Sequence, residues 1–69
     1  MNEELLKTWI KEYHISGHTR EEELNQVKGS IANEMIWLNA STDEMEFNMH
    51  LDSINNLNAY KEYLEQDML

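Results

Sequence analysis

Residues 24–64, LNQVKGSIANEMIWLNASTDEMEFNMHLDSINNLNAYKEYL, decide the fold. Leu24, Val27, Ile31, Met35 and Leu38 recur at spacings of three and four. Phe47, Leu51, Ile54, Leu57, Leu64 and Met68 do much the same after Ala40-Ser41. That is the period of helices with one buried face. Between the two runs, Ser41-Thr42-Asp43-Glu44 reads as a stop and a new start, with Ser41 three residues before Glu44 as in a capping box. The expectation is a long helical hairpin.

Upstream, Asn2 can cap a first helix whose opening turn carries Glu3 and Glu4. Leu5, Leu6, Trp9, Ile10 and Tyr13 form its apolar stripe, and Gly17 is placed to end it in the left-handed conformation. Thr19 and Glu22 have capping-box spacing, and Arg20-Glu21-Glu22-Glu23 then opens the second helix with acid at its positive end. Gly29 is the weak point of that helix, costing about 1 kcal/mol relative to alanine. Either the helix continues beneath a closely crossing neighbour, or it breaks there and the chain has four helices. Asn55-Asn56-Leu57-Asn58 favours a bend in the third segment.

Together these features predict an all-α single domain over residues 1–69, a three-helix bundle with helices near 3–15, 20–39 and 43–66. The expected core is Trp9, Leu24, Val27, Ile31, Met35, Leu38, Phe47, Leu51, Ile54 and Leu57. A chain of 69 residues buries a modest core, so it needs tight packing, a second copy or a partner. Having no cysteine, it can draw on neither a disulfide nor a thiolate metal site.

The formal charge is −9, from 14 acidic and 5 basic residues. The second half, from Ile36 on, holds a single base, Lys61. Such a surface repels phosphate, which argues against direct binding of nucleic acid or of an anionic membrane. No apolar run approaches the ~20 residues of a membrane span. The acidic Met1-Asn2-Glu3-Glu4 is unlike a secretory leader, so a cytoplasmic location is expected.

Chemistry finds little to work with. His14 and His18 have helical i, i+4 spacing, but Gly17 interrupts it. Glu46 and His50 are also four apart, with no third ligand near. No serine sits in a nucleophile motif, and there is no phosphate or calcium loop. A small bundle leaves little room for a pocket of ~300 Å3 or more. No enzyme activity, metal, cofactor or small-molecule substrate is expected.

The surplus of apolar surface is more informative. On the third helix Met45, Met49, Tyr60 and Tyr63 form a second stripe roughly opposite the first, with Asn56 in the same line. Ile36 and Trp37 also lie outside the main stripe of the second helix. A hairpin buries one face, so the first helix, a second copy or another protein must cover the rest. Methionine and tyrosine suit adaptable contact surfaces. The acids offer another reading. Carboxylates three or four apart on a helix approximate phosphate spacing, so Asp43, Glu44, Glu46, Asp52, Glu62, Glu65 and Asp67 could mimic a nucleic acid toward a basic protein.

Ala32-Asn33-Glu34-Met35-Ile36-Trp37, Met49-His50-Leu51 and Asn56-Leu57-Asn58-Ala59-Tyr60-Lys61-Glu62-Tyr63-Leu64 carry a resemblance. Ile31–Leu64 resembles the small accessory proteins encoded by phages and prophages of Gram-positive bacteria. The resemblance implies a short cytoplasmic protein that acts by binding a host or phage protein.

The functional expectation is a non-enzymatic protein-interaction module. It docks through an apolar helix face ringed by acid and anchored by Trp37, Met45, Met49, Tyr60 and Tyr63. The alternatives are an obligate homodimer whose interface completes the core, and the acidic mimic. On the first expectation, Met49→Asp with Tyr60→Ala abolishes association and spares helicity.

Overall fold

The computed structural model describes residues 3–66. Three helices follow one another: α1, Glu3–Ser16; α2, Arg20–Ala40; and α3, Glu44–Gln66. α2 and α3 form the hairpin, and α1 packs on it mainly through α3. The molecule is elongated, 38 × 22 × 22 Å. Asn2 lies outside the described residues, as do Asp67 and Met68.

Local chemistry sets each boundary. α1 ends before Gly17, whose φ of 81° is the left-handed conformation that a side chain disfavours. The Ser16 hydroxyl helps close the turn, donating to the Tyr13 carbonyl and accepting from the His18 amide. At Thr19 the expected capping box is complete. The Glu22 amide donates to Thr19 Oγ1, and the Thr19 amide donates to Glu22 Oε1, both at 3.2 Å. The bond from the Thr19 amide, and next the Thr19 hydroxyl, favour the ionised carboxylate and hold the Glu22 pKa below its ordinary value.

The second joint is built differently from the expectation. Ser41 does not cap α3. Its hydroxyl donates to the Trp37 carbonyl at 2.8 Å and its amide donates to Leu38 O, so it finishes α2. Asp43 starts α3, with its Oδ1 accepting from the Met45 amide and its carbonyl from the Phe47 amide. Aspartate takes the role because it directly precedes the first helical residue.

α2 runs through Gly29 without a break. No neighbour crosses there, for a Cβ built on Gly29 meets nothing within 4 Å. Gly29→Ala is therefore expected to stabilise the protein by about 0.5–1 kcal/mol. The check is a higher urea midpoint at unchanged slope, and a lower midpoint would contradict the open surroundings. α3 likewise continues through Asn55–Asn58, and Asn56 is buried.

The core lies at one end of the hairpin. Leu24, Val27, Tyr60 and Leu64 form its centre, and Leu6, Trp9, Ile10, Tyr13, Ile31, Leu57 and Tyr63 pack against it. Ile54 is buried separately, one level up. Toward Ala40–Asp43 the molecule is only two helices thick. There Met35, Phe47 and Leu51, expected in the core, are exposed. Two packed helices bury only the narrow strip between them. With no third helix at that level, residues in phase with the stripe but at its margin stay in water.

Candidate docking face

The second stripe of α3 is divided. At about 100° per residue, Met45, Met49, Asn56, Tyr60 and Tyr63 fall along one side of the helix. α1 covers the far end of that line. The Trp9 and Tyr60 rings meet at 5.6 Å between centroids, and the Tyr63 hydroxyl lies 3.2 Å from His14 Nε2. Tyr60 is 3% exposed and Tyr63 is half-buried. These two tyrosines, expected on a partner-binding face, belong to the core instead. Tyr60→Ala would therefore damage the fold and cannot test association.

Tyr60 sits in a polar network that ties all three helices. Its hydroxyl donates to Glu23 Oε1 at 2.9 Å and also lies 3.4 Å from the Trp9 carbonyl. The other carboxylate oxygen of Glu23 accepts from His18 Nδ1 at 3.1 Å. Burial, and then the Glu23 carboxylate, push the Tyr60 pKa well above the ordinary tyrosine value.

Beyond α1 the same side of the hairpin is uncovered. Met45 is 71% exposed and Met49 61%. Trp37 of α2, 56% exposed, lies on this side too. Glu23, which reaches Tyr60, is followed at seven-residue steps by Ser30 and Trp37, so the three share one line of α2. Glu23 and Ser30 border α1, and Trp37 continues past it. Trp37 is not loose. Its indole stacks on the His50 ring at 6.4 Å and 14°, and His50 Nδ1 donates to Glu34 Oε2 at 2.6 Å. The Glu34–His50 pair, sixteen residues apart, had no local signal in the sequence. His50 is thus a hydrogen-bonded histidine at the helix interface, and it props the tryptophan.

Acid borders this face. Asp43, Glu44, Asn48 and Asp52 line a shallow open trough with Met45 and Met49. Between Lys28 and Lys61 the sequence has no lysine or arginine. The row of acids considered as a nucleic-acid mimic is not a row. Glu44 and Glu62 share a phase, but Glu46, Asp52 and Glu65 project in widely different directions around α3. Asp67, the last member of that set, lies outside the described residues. Ile36 is exposed on the outer side of α2, and Met35, Phe47 and Leu51 lie on the opposite side of the hairpin from Trp37, Met45 and Met49.

One cleft is larger than expected for so small a bundle. It opens between α1 and α2 with a volume of about 410 Å3, and its lining includes Trp9, Tyr13, His18, Glu23, Val27 and Tyr60. The His18–Glu23 pair lies in it, and Ser16 is nearby. The Ser16 hydroxyl, however, donates to the Tyr13 carbonyl and accepts from the His18 backbone, so it makes no bond to the imidazole. A nucleophile held by its base needs that bond. Among the described residues no group of three His, Cys, Asp or Glu side chains is placed to hold a metal ion. Among the described residues no helix is long and apolar enough to cross a membrane. Comparison with known protein families, curated proteins and solved structures finds no match to this chain.

Proposed function

We propose that this chain is a non-enzymatic interaction module that docks a protein partner on Trp37, Met45 and Met49. The observation that carries the reading is the divided stripe. One line of α3 is core where α1 covers it and open, methionine-rich and acid-bordered where α1 does not. Single exposed apolar residues are ordinary on a protein surface. Three large apolar side chains on one side of the hairpin, with the tryptophan held in place by a stacked histidine, are a feature of contact surfaces. The phage-like character of Ile31–Leu64 extends the proposal: the module acts in the cytoplasm as a modulator of a host or phage protein.

Met45→Asp with Met49→Asp tests it, because both side chains are largely in water and their loss should spare the fold. Capture of a partner from lysate is expected to fall at least about tenfold, with far-UV circular dichroism and the urea midpoint unchanged. Equal capture by both proteins would remove the face from the proposal. The homodimer is the second reading, favoured by the further apolar residues Met35, Phe47 and Leu51 on the other side of the hairpin. Sedimentation across a dilution series separates the two. A dimer that persists at micromolar concentration supports self-assembly, and a folded monomer there excludes an obligate dimer.

A further inference from the structure

We infer that the segment docking on this face is a basic amphipathic helix of about three turns, supplied by another protein. The inference rests on the docking reading and names the chemistry of its partner. Two observations carry it: the shape of the open side and its charge.

The shape is that of a missing third helix. Where α1 packs, the hairpin is three helices thick and Tyr60 is buried. Where α1 is absent, the same side of α3 is bare from Met45 to just short of Asn56. That span is about 16 Å at 1.5 Å per residue, which is three turns. A helix with an apolar stripe, laid there, repeats for Met45 and Met49 the arrangement that α1 provides for Tyr60 and Tyr63.

The exposed apolar area sets the size of the contact. Trp37, Met45 and Met49 together expose roughly 400 Å2, taking about 200–250 Å2 for a large side chain. A stable homodimer removes about 800 Å2 from each partner. A little over half of such a face is apolar, so the exposed area fits a second copy about as well as a short helix.

Charge separates the two. The open half carries Glu34, Asp43, Glu44, Glu46 and Asp52, and its neighbourhood has no lysine or arginine from Gly29 to Tyr60. Glu34 is engaged by His50, and Asp43 begins α3, yet the acids still outnumber any cation. Two copies meeting here would press like charges together. Lysines or arginines flanking an apolar stripe would instead meet carboxylates on the rim while the methionines adapt to the stripe.

The test uses the full chain labelled at its methionine methyls, with resonances assigned by single Met→Leu substitutions. Three synthetic 14-residue peptides are titrated in: a leucine–lysine amphipathic helix, its leucine–glutamine analogue, and a scrambled leucine–lysine sequence without a stripe. The lysine helix is expected to shift the Met45 and Met49 methyls and the Trp37 indole and to leave Met35 unmoved. The other two peptides are expected to bind at least about tenfold more weakly. Affinity for the lysine helix should also fall about tenfold between 50 and 300 mM salt. Glu44→Gln with Asp52→Asn should weaken it in the same direction.

Equal binding of the glutamine helix at Met45 and Met49 overturns the inference and leaves the docking reading standing. Equal binding of the scrambled peptide shows attraction by charge alone and overturns it too. Methyl signals of Met45 and Met49 that move with protein concentration, without peptide, assign the face to a second copy. No response at Trp37, Met45 or Met49 to any of the three overturns the inference and removes the support for docking a helix there.

Discussion

Leu64→Ala is expected to remove a large share of the protein's stability at 25 °C. Leu64 has no exposed surface and stands at the centre of the cluster with Leu24, Val27 and Tyr60. Truncating a leucine in such a place costs about 2–5 kcal/mol, as lost burial plus the cavity left behind. A chain of this length has a total stability of roughly 3–10 kcal/mol. The change therefore removes a large share of it. Urea unfolding followed by circular dichroism is the measurement. With a slope of about 1–3 kcal/mol/M, the midpoint should drop by at least about 1 M, or the folded baseline should vanish. Leu51→Ala is the control, since Leu51 is exposed on the thin half of the hairpin. Its midpoint should fall by clearly less, since Leu51 is already 39% exposed. Equal effects at the two positions would contradict the placement of the core at one end.

Tyr60→Phe comes next in size. The substitution keeps the ring and its contact with Trp9 but removes the only hydroxyl that donates to Glu23 Oε1 from α3. A hydrogen bond to a charged group contributes about 1.5–3 kcal/mol, and Glu23 keeps its bond from His18 through the other oxygen. The expected cost is about 2 kcal/mol. A double-mutant cycle with Glu23→Gln isolates the pair, and a coupling near zero would mean that the bond contributes nothing.

The same group makes a pH prediction. Folding raises the Tyr60 pKa above its value in the unfolded chain. The folded form therefore holds the proton that the unfolded form releases. Its contribution is complete below the ordinary tyrosine pKa of about 10 and declines as pH rises beyond that. Wild-type stability should fall above about pH 10 more steeply than that of Tyr60→Phe. Parallel profiles would show that another group governs the alkaline side.

The helices were legible because their ends are written locally. Thr19 with Glu22, and Gly17 before them, act within a few residues, so the boundaries of α1 and α2 follow from the sequence. Asp43 displaced Ser41 as the cap of α3 because two candidate caps stood two residues apart, and only the path of the joint separates them. The core was legible only where three layers meet. Periodicity says which residues of a helix share a side, and it is silent about what lies opposite. Met35, Phe47 and Leu51 were in phase and remained exposed for that reason. Tyr60 and Met49 lie on one line of α3 and have opposite fates because α1 ends its cover between them. The signal was present in the lengths, 14 residues for α1 against 23 for α3. A short helix cannot shield the whole of a long one. The Glu34–His50–Trp37 group joins α2 to α3 across the hairpin and leaves no trace in local spacing.

The base-free half of the hairpin has a practical consequence at the bench. Trypsin cuts after lysine and arginine, so it releases everything from Gly29 to Lys61 as one long peptide. Amine-reactive cross-linkers and labels find no lysine on that half either. A complex assembled there would leave such mapping methods nearly blank, and the blank would be mistaken for an absence of contact. Reagents that couple carboxylates, or that oxidise thioethers, read Asp43, Glu44, Asp52, Met45 and Met49 directly, and their protection from modification is what would outline the footprint.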